Sequence, residues 1–276
     1  MADKRIFNIE AVIDFIENHL DEKLDLIKIA QAVHYSKYHL HRMFAEFLGM
    51  TIHDYVKRRQ LTKAAELLIF SRKSIMDIAI ICGYESQQAF TLAFREMYKK
   101  APADYRKKGN FYPLQLRFRL DKKRKQQFGS AEIRLAEFKD VSAWLKLARL
   151  VIDGYPYFNQ EDYFKTLQEC IRQKRALILR HKDTAIGIMA FSYETGNIEF
   201  FGVHPQYRND GIAEKFLEKL QKEFLPQRDI YITTYREKDK ADTGYRAKLK
   251  QLGFLERELL IEFGYPTQRF IFVGRK

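Results

Sequence analysis

The segment that decides the fold of the first half of the chain runs from Asp77 to Arg106 and reads DIAIICGYESQQAFTLAFREMYKKAPADYR. It begins with apolar residues at helical spacing, and Gly83 then offers the positive φ that a tight turn needs. Ser86 offers a side-chain oxygen that can cap a second helix. The apolar face of that second helix consists of Phe90, Phe94 and Met97. The segment therefore predicts a helix-turn-helix.

The same pattern occurs a second time, about fifty residues earlier. At an offset of 50, the corresponding pairs are Ser36 with Ser86, Leu40 with Phe90, Phe44 with Phe94, and Tyr55 with Tyr105. Upstream of each serine the offset is 49, so the second copy has gained one residue in its turn. Residues 52–70 contain neither Gly nor Pro, which predicts one long helix between the copies. The chain therefore carries an internal repeat of two helix-turn-helix units.

The outward faces of the two second helices carry hydrogen-bonding side chains. In the first copy, one helical face carries Tyr38, His41 and Arg42. The second copy has on the equivalent face Gln87, Gln88 and Thr91. Arginine can bond bidentately to guanine and glutamine to adenine, so these residues are candidates for reading base edges. Each one alone can equally be a solvated surface residue, but two matching patches favour the DNA-reading interpretation.

The two segments together resemble the DNA-binding module of AraC/XylS transcription regulators. The resemblance rests on residues 77–106 and on YSKYHLHRMF at residues 35–44, and it covers the chain from about Ile6 to Lys108. It implies that the first patch lies in one major groove and Gln87 and Gln88 in the next. Successive major grooves on one face of DNA are ~34 Å apart, so a single chain can span an asymmetric site. The chain departs from the family pattern at two positions, His34 in the first turn and Leu92, where relatives often have arginine.

Basic residues outside the two patches are candidates for phosphate contacts, which fix the register on DNA without reading sequence. We assign this role to Lys57, Arg58 and Arg59, with Arg72 and Lys73 as further candidates. Each can equally be a surface charge without a role. Double-stranded DNA is thus the expected partner, and RNA polymerase is a further candidate partner.

The composition agrees with a two-domain protein that meets an anionic partner. The 276 residues exceed the usual size of one domain, and 46% apolar residues can fill two cores. A net charge of +13 favours nucleic acid or a phosphorylated ligand. Cys82 and Cys170 lie one in each half, which indicates a reducing compartment without a disulfide or metal site. No apolar run reaches the ~18 residues of a membrane span and no signal segment is recognised, so we expect a soluble, cytoplasmic protein.

Residues 109–130 are predicted to be a basic connector between domains at residues 1–108 and 131–276. Apolar and polar residues alternate here, the apolar ones being Leu114, Leu116, Phe118 and Leu120. This pattern predicts a strand, which we assign to the second domain. The run KKRKQQ at residues 122–127 is either a solvated hairpin tip or a contact to DNA phosphate.

From residue 131 onward, short β patterns alternate with amphipathic helical patterns. Strands are expected at residues 133–138, 176–179, 184–193, 198–203, 230–235 and 254–263. Helices are expected at residues 141–152, 162–172, 211–224 and 245–252. The chain is therefore expected to be multidomain, with an all-α double helix-turn-helix followed by an α+β domain that has a mixed sheet.

The chemically informative part of the second half is IEFFGVHPQYRNDGIA, residues 198–213. An apolar strand runs into the pattern Arg208-x-x-Gly211-x-Ala213, which opens an amphipathic helix. The free backbone N–H groups and positive dipole at a helix start suit a pyrophosphate. Gly211 lets the backbone approach such a group closely, and Arg208 adds positive charge.

Together with Val203-x-Pro205 and Gly253-Phe254, this segment resembles the acyl-CoA-binding motif of GNAT-superfamily N-acyltransferases. The resemblance covers about residues 131–265 and implies a GNAT-like fold with acetyl-CoA, or another acyl-CoA, as cofactor. The cofactor-binding residues that it implies are Val203, Arg208, Asn209, Asp210, Gly211, Ile212 and Ala213.

The resemblance also suggests catalytic residues. Glu199, expected on the same strand face as Phe201 and Val203, is the candidate base, and a strand glutamate paired to a surface cation is the alternative. Many GNAT enzymes have a tyrosine where this chain has Leu249, so Tyr245, one helical turn earlier, is either the candidate acid toward the thiolate or a packing residue. The segment Gly154–Phe158 is expected to line a pocket for a small amine or to cap the core.

Three functional hypotheses follow. In the first, a sequence-specific DNA-binding regulator has a GNAT-like domain that binds acyl-CoA and can acetylate a small amine. In the second, a small-molecule N-acetyltransferase carries a self-regulatory DNA-binding module. In the third, the second domain of a DNA-binding protein is an interaction platform. The departure at Leu249 favours sensing over turnover, whereas the intact loop Arg208–Ala213 argues against a platform without ligand.

Overall fold

The computed structural model describes residues 4–121, 128–129, 132–151, 160–262 and 264–274. The chain divides into two compact units, which we describe separately. The described residues up to Asp121 belong to the first unit, and those from Phe128 onward belong to the second. The basic run 122–127 and the segment Gly154–Phe158, to which roles are assigned above, lie outside the described residues.

The first unit is built from helices whose starts are fixed by side-chain caps. Backbone N–H groups at five helix starts donate to the side chains of Asp25, Ser36, Thr51, Ser74 and Ser86. In chain order the helices are α1 (Lys4–Asn18), α2 (Leu26–Ala32), α3 (Lys37–Leu48), α4 (Ile52–Phe70), α5 (Ile75–Ile81), α6 (Gln87–Tyr98) and α7 (Pro102–Lys108). The predicted all-α double helix-turn-helix is confirmed.

The two helix-turn-helix units repeat each other in the hydrogen bonds of their turns. The N–H of Tyr35 donates to the carbonyl of Ala30 at 2.9 Å, and the N–H of Tyr84 donates to the carbonyl of Ala79 at 2.9 Å. The residue at the turn has a positive φ in both copies, 57° at His34 and 77° at Gly83. His34 thus adopts the left-handed conformation, which costs a residue with a β-carbon ~1–2 kcal/mol.

The strand predicted at residues 114–120 is not formed. Residues 112–118, which we call the strap, instead lie across helices of the first unit. The N–H groups of Leu114 and Gln115 both donate to the Thr62 hydroxyl at 3.1 Å, and the Arg59 guanidinium donates to the Gln115 carbonyl at 2.7 Å. The strap is therefore held by side chains of α4 rather than by the ladder of a sheet.

The strap also reaches α1, α6 and α7. Its Tyr112 carbonyl accepts hydrogen bonds from the hydroxyls of Tyr98 on α6 and Tyr105 on α7, at 3.2 and 3.3 Å. Arg117 donates to Asp14 on α1 at 2.5 Å. The strap therefore connects α1, which precedes the first helix-turn-helix, with α6 of the second helix-turn-helix and with α7, which follows it.

The described residues of the second unit form two antiparallel sheets, with the strand orders β1-β2-β3-β4 and β5-β7-β6. The strands are β1 (Arg134–Leu135), β2 (Ala176–His181), β3 (Thr184–Phe191), β4 (Ile198–Val203), β5 (Ile230–Tyr235), β6 (Leu255–Glu262) and β7 (Tyr265–Phe272). The helices are α8 (Val141–Val151), α9 (Gln160–Arg172), α10 (Ile212–Lys219) and α11 (Tyr245–Gln251). The predicted α+β class is confirmed, but the ladders between the described strands are all antiparallel instead of forming the expected mixed sheet. The strand β7 was not predicted, and the helix expected to continue to residue 224 changes to a π-helical turn at Leu220–Phe224.

The first sheet separates two apolar clusters of the second unit. One contains Trp144 and Leu147 of α8, and the other contains Phe216 and Leu217 of α10. A β-carbon at Gly187 in β3 would lie 2.5 Å from the Phe216 ring, so the glycine allows α10 to pack closely on the sheet. This packing places the start of α10 next to the end of β4.

A buried carboxylate fixes the edge of the first sheet. Asp140 accepts two hydrogen bonds from Arg134, at 2.6 and 2.8 Å, and one from Arg180 at 2.7 Å. Burial opposes ionisation of Asp140, but these bonds and one from the Glu137 N–H outweigh it and hold the pKa of the carboxyl well below its usual range. The carboxylate is thus charged at neutral pH and joins β1 to β2.

Candidate nucleic-acid interface and candidate ligand site

The candidate base-reading residues of the first copy lie on the exposed face of α3. Tyr38 is 78% exposed, and His41 and Arg42 are also exposed, whereas Leu40 and Phe44 on the opposite face are buried. The Arg42 guanidinium is 3.9 Å from Glu46, and both side chains are largely exposed, so this ion pair is weak. Arg42 can therefore exchange this partner for another one.

The candidate residues of the second copy lie on the matching face of α6. Gln87 and Gln88 are exposed and Thr91 is partly exposed. Arg95, which our sequence reasoning did not include, is exposed two helical turns after Gln88. The spacing of seven residues between Gln88 and Arg95 is the signal that could have identified it. The structure thus brings each set of three residues together on one helix surface, and their contacts with bases stay a prediction.

Two of the three assigned phosphate contacts are wrong. Arg58 is only 1% exposed and lies in the core of the first unit. Arg59 forms two hydrogen bonds with Glu17, both at 2.7 Å, in addition to its bond with the strap. Consecutive residues on a helix point about 100° apart, so three in a row span about 200°, and α4 buries side chains such as Val56, Gln60 and Leu61 on either side of this run. Lys57 is partly exposed at 3.6 Å from Glu96, and its phosphate contact stays a prediction.

In the second unit, the start of β5 is bonded to the two residues that precede β4. The N–H of Tyr231 donates to the carbonyl of Gly196 at 3.0 Å, and Asn197 and Tyr231 form an isolated parallel bridge. Beyond this point β4 pairs with β3 and β5 pairs with β7. The edge of β4 that faces β5 is thus not part of a continuous ladder within the described strands, and its backbone groups can bind a ligand.

The loop Arg208–Ala213 lies at the end of this edge. Gly211 is the N-cap of α10 with a φ of 70°, and a β-carbon there would meet no atom within 4 Å. The space around Gly211 is open, and the first N–H groups of α10 lack intrahelical acceptors. Arg208 and Asp210 are partly exposed, Asn209 is exposed, and Ile212 and Ala213 are buried. An anion could therefore approach the backbone of this loop.

The position of Glu199 contradicts its assignment to the strand face of Phe201 and Val203. Ala190 pairs with Phe200 and Phe191 pairs with Ile198, so Glu199 is the extra residue of a β-bulge. Its carboxylate bonds to Arg175 at 2.5 Å and lies 3.9 Å from the Cys170 sulfur. The alternative, a strand glutamate paired with a cation, is the arrangement that the structure has.

The candidate acid Tyr245 lies at the start of α11. Its side chain is partly buried against the apolar cluster that contains Phe216, and its N–H donates to Asp242 at 2.9 Å. Burial raises the pKa of Asp242 above its usual value. Leu249, one turn later, is 1% exposed and packs in the same cluster. The catalytic role of Tyr245 stays a prediction.

None of the helices in the described part of the chain is long and apolar enough to span a membrane.

Comparison with known proteins gives a separate match for each unit. A helix-turn-helix domain family matches residues 29–108, and an acetyltransferase (GNAT) domain family matches residues 155–258. The chain is 38% identical over 98 residues to the uncharacterized HTH-type transcriptional regulator YbfP of Bacillus subtilis, covering 36% of this chain and 33% of that protein. The chain thus spans about a third of the length of this relative.

Two further matches cover nearly all of the matched protein. The regulatory protein SoxS of Escherichia coli is 39% identical over 98 residues, with 36% of this chain and 92% of SoxS covered. A solved GNAT-family acetyltransferase from Bacillus cereus is 15% identical, with 52% of this chain and 97% of that chain covered at a TM-score of 0.41. Because SoxS is 39% identical to this chain and 92% of SoxS is covered, the chain belongs to the AraC-type regulators, and the two family matches place a GNAT acetyltransferase domain after the helix-turn-helix domain.

Proposed function

We propose that this protein is a transcription regulator that binds double-stranded DNA through α3 and α6, and that its second unit binds acyl-CoA as a signal. The observation that carries the DNA-binding half is the repeat of one exposed hydrogen-bonding face on two equivalent helices. A surface without a function has no need to place exposed hydrogen-bonding side chains on the same face of the second helix in both copies of a tandem fold. Lys57 and Arg42 supply positive charge close to these faces.

The acyl-CoA half rests on the gap between β4 and β5 and on the open loop at its end. A pyrophosphate fits the loop because Gly211 keeps the space free, because the start of α10 offers N–H donors, and because Arg208 adds a cation. These residues and Val203, Asn209, Asp210, Ile212 and Ala213 would hold the cofactor. When bound, acyl-CoA supplies an activated acyl group. This chain's own residues bind its phosphates and present the edge of β4 beside it.

Binding without efficient transfer is favoured over turnover by the residues next to this gap. Glu199 is engaged by Arg175, and Leu249 occupies the position at which many GNAT enzymes have a tyrosine. A base and an acid toward the thiolate are the groups that an amine acyl transfer needs. Acyl transfer to a small amine, with Tyr245 as acid, is accordingly the second candidate for this unit.

The DNA-binding half is tested by fluorescence anisotropy of the full chain with labelled duplex DNA. We expect the logarithm of the binding constant to fall linearly with the logarithm of the salt concentration, because cations on the protein release counterions from the phosphates. Absence of binding at low salt would contradict the proposal.

The acyl-CoA half is tested by calorimetry with acetyl-CoA. Gly211→Asp introduces a negative charge beside the expected pyrophosphate and should abolish binding. Gly109→Asp is the matched control, because Gly109 also has a positive φ, 74°, and open space around its β-carbon position, but it lies in the first unit. Equal acetyl-CoA affinity of the wild type and Gly211→Asp would contradict the assignment. Release of free CoA thiol in the presence of amines would favour the acetyltransferase alternative.

A further inference from the structure

The outward face of α6 contains a large apolar side chain among polar ones. Leu92 is 63% exposed, although it lies in the middle of a helix whose other face is fully buried. It follows Gln88 by four residues, which is one helical turn, so it belongs to the same surface as Gln88. The buried face opposite consists of Phe90, Phe94, Met97 and Tyr98. Leu92 therefore does not contribute to the core of the first unit.

The internal repeat identifies the counterpart of Leu92 in the first copy. The helices α3 and α6 both have 12 residues and begin after the capping serines Ser36 and Ser86, so their residues correspond at an offset of 50. Leu92 is thus the counterpart of Arg42, just as Gln88 is the counterpart of Tyr38 and Thr91 that of His41. The same structural position carries a guanidinium in one helix and an isobutyl group in the other.

These two groups suit different features of the major groove. A guanidinium has donors that match the two acceptors of guanine. An isobutyl group has neither donors nor acceptors, and the apolar feature that base pairs present in the major groove is the methyl group of thymine. Exposed leucine beside hydrogen-bonding residues would be unfavourable in water and favourable against such a methyl group.

We infer that Leu92 selects thymine in the half-site read by α6, while Arg42 selects guanine at the equivalent position of the half-site read by α3. The inference rests on the proposed DNA-binding function and extends it to specificity. The two half-sites then differ at equivalent positions, so the binding site of one chain is asymmetric and has a fixed orientation.

The test uses a duplex selected by the full-length protein from a randomised library, in which thymines of the bound region are replaced one at a time by deoxyuridine. This replacement removes only the methyl group. We expect one position at which the wild type loses about fourfold in affinity, which corresponds to the ~0.8 kcal/mol of one methyl group removed from water. Leu92→Ala should bind the thymine duplex more weakly and should be insensitive to deoxyuridine at that position.

Ile80→Ala is the matched control, since Ile80 is an aliphatic side chain on α5 that is 56% exposed. It should keep the full sensitivity to deoxyuridine. Leu92→Arg should change the preferred base at the sensitive position from thymine to guanine by about tenfold, because it gives α6 the group that α3 already has.

Three outcomes would overturn the inference. One is binding that no deoxyuridine replacement weakens, and another is a Leu92→Ala protein as sensitive as the wild type. The third is unchanged DNA affinity of Leu92→Ala, which would mark Leu92 as part of a protein-binding surface. If the full chain binds no duplex at low salt, the proposed DNA-binding function itself fails, which separates the two ideas.

Discussion

Replacing Thr62 by valine should detach the strap from α4 without changing the shape of the core. The Thr62 hydroxyl is buried and accepts hydrogen bonds from two buried backbone N–H groups, those of Leu114 and Gln115. Valine keeps the volume but offers no acceptor, so both donors lose their partner. Each buried donor left unsatisfied costs about 1–3 kcal/mol, so the loss of two partners should lower the free energy of unfolding of the first unit by about 2–6 kcal/mol.

The single tryptophan allows the two units to be followed separately. Trp144 is buried in the second unit, so its fluorescence reports the unfolding of that unit. Far-UV circular dichroism is dominated by helices and chiefly reports the all-helical first unit. In a urea titration, Thr62→Val should lower the midpoint of the dichroism transition and leave the fluorescence transition unchanged.

Thr166→Val provides the matched control for Thr62→Val. Thr166 lies on α9, is exposed, and donates to the Asp162 carbonyl at 2.9 Å, as Thr62 donates to the Arg58 carbonyl at 2.8 Å. Unlike Thr62, Thr166 holds no backbone N–H groups of the strap, so its replacement should cost less than about 0.5 kcal/mol. If Thr62→Val lowers the stability of the first unit no more than this control lowers that of the second, the strap is not held as described.

The remaining predictions concern a turn, a buried charge and two cations. His34→Gly should raise the urea midpoint of the dichroism transition by relieving ~1 kcal/mol of backbone strain, whereas Gly83→Ala should lower it because its β-carbon would lie 2.6 Å from a backbone oxygen. Asp140→Asn should lower the free energy of unfolding of the second unit by about 3–5 kcal/mol at pH 7, measured from the fluorescence transition. Because the folded pKa is depressed, this difference should persist above the unfolded pKa of ~3.9 and shrink as the pH falls through the folded pKa. In anisotropy titrations, Arg42→Ala should reduce discrimination between specific and random DNA by about 1–3 kcal/mol, whereas Lys57→Ala should weaken both alike.

The helical half of the fold could be predicted from the sequence because its signals are local. Ser36 and Ser86 begin helices, and Gly83 permits the turn, whatever surrounds them. Local signals also explain one error, since the run Lys57-Arg58-Arg59 is basic in sequence but its three side chains point in three directions. Arg58 is buried because its face of α4 meets the core. A run of three basic residues gives no signal of which face that is, so the sequence could not identify the buried one.

The errors in the second half come from contacts between distant residues. The bulge that turns Glu199 toward Arg175 depends on the pairing of β4 with β3, and one extra residue is enough to reverse the face of a strand residue. The strand β7 escaped prediction because Pro266 interrupts its pattern. Proline is tolerated there because β5 ends opposite Thr267, so Pro266 is paired on one side only, with Ile261 of β6. The strap resembles a strand in sequence because its apolar residues Tyr112, Leu114 and Phe118 are buried within the first unit while Arg117 is exposed.

The strap changes where the DNA-binding module ends. Two recognition helices that read successive grooves must keep a fixed separation, and α4, ~28 Å long for its 19 residues, is the element that joins them. One joining helix leaves the second copy free to rotate about its own axis unless further contacts cross between the copies. The strap makes such contacts, since it bonds to Asp14 on α1, to Thr62 on α4 and to Tyr98 on α6. Residues 112–118 therefore belong structurally to the DNA-binding module, although their alternating pattern predicted a strand of the second domain.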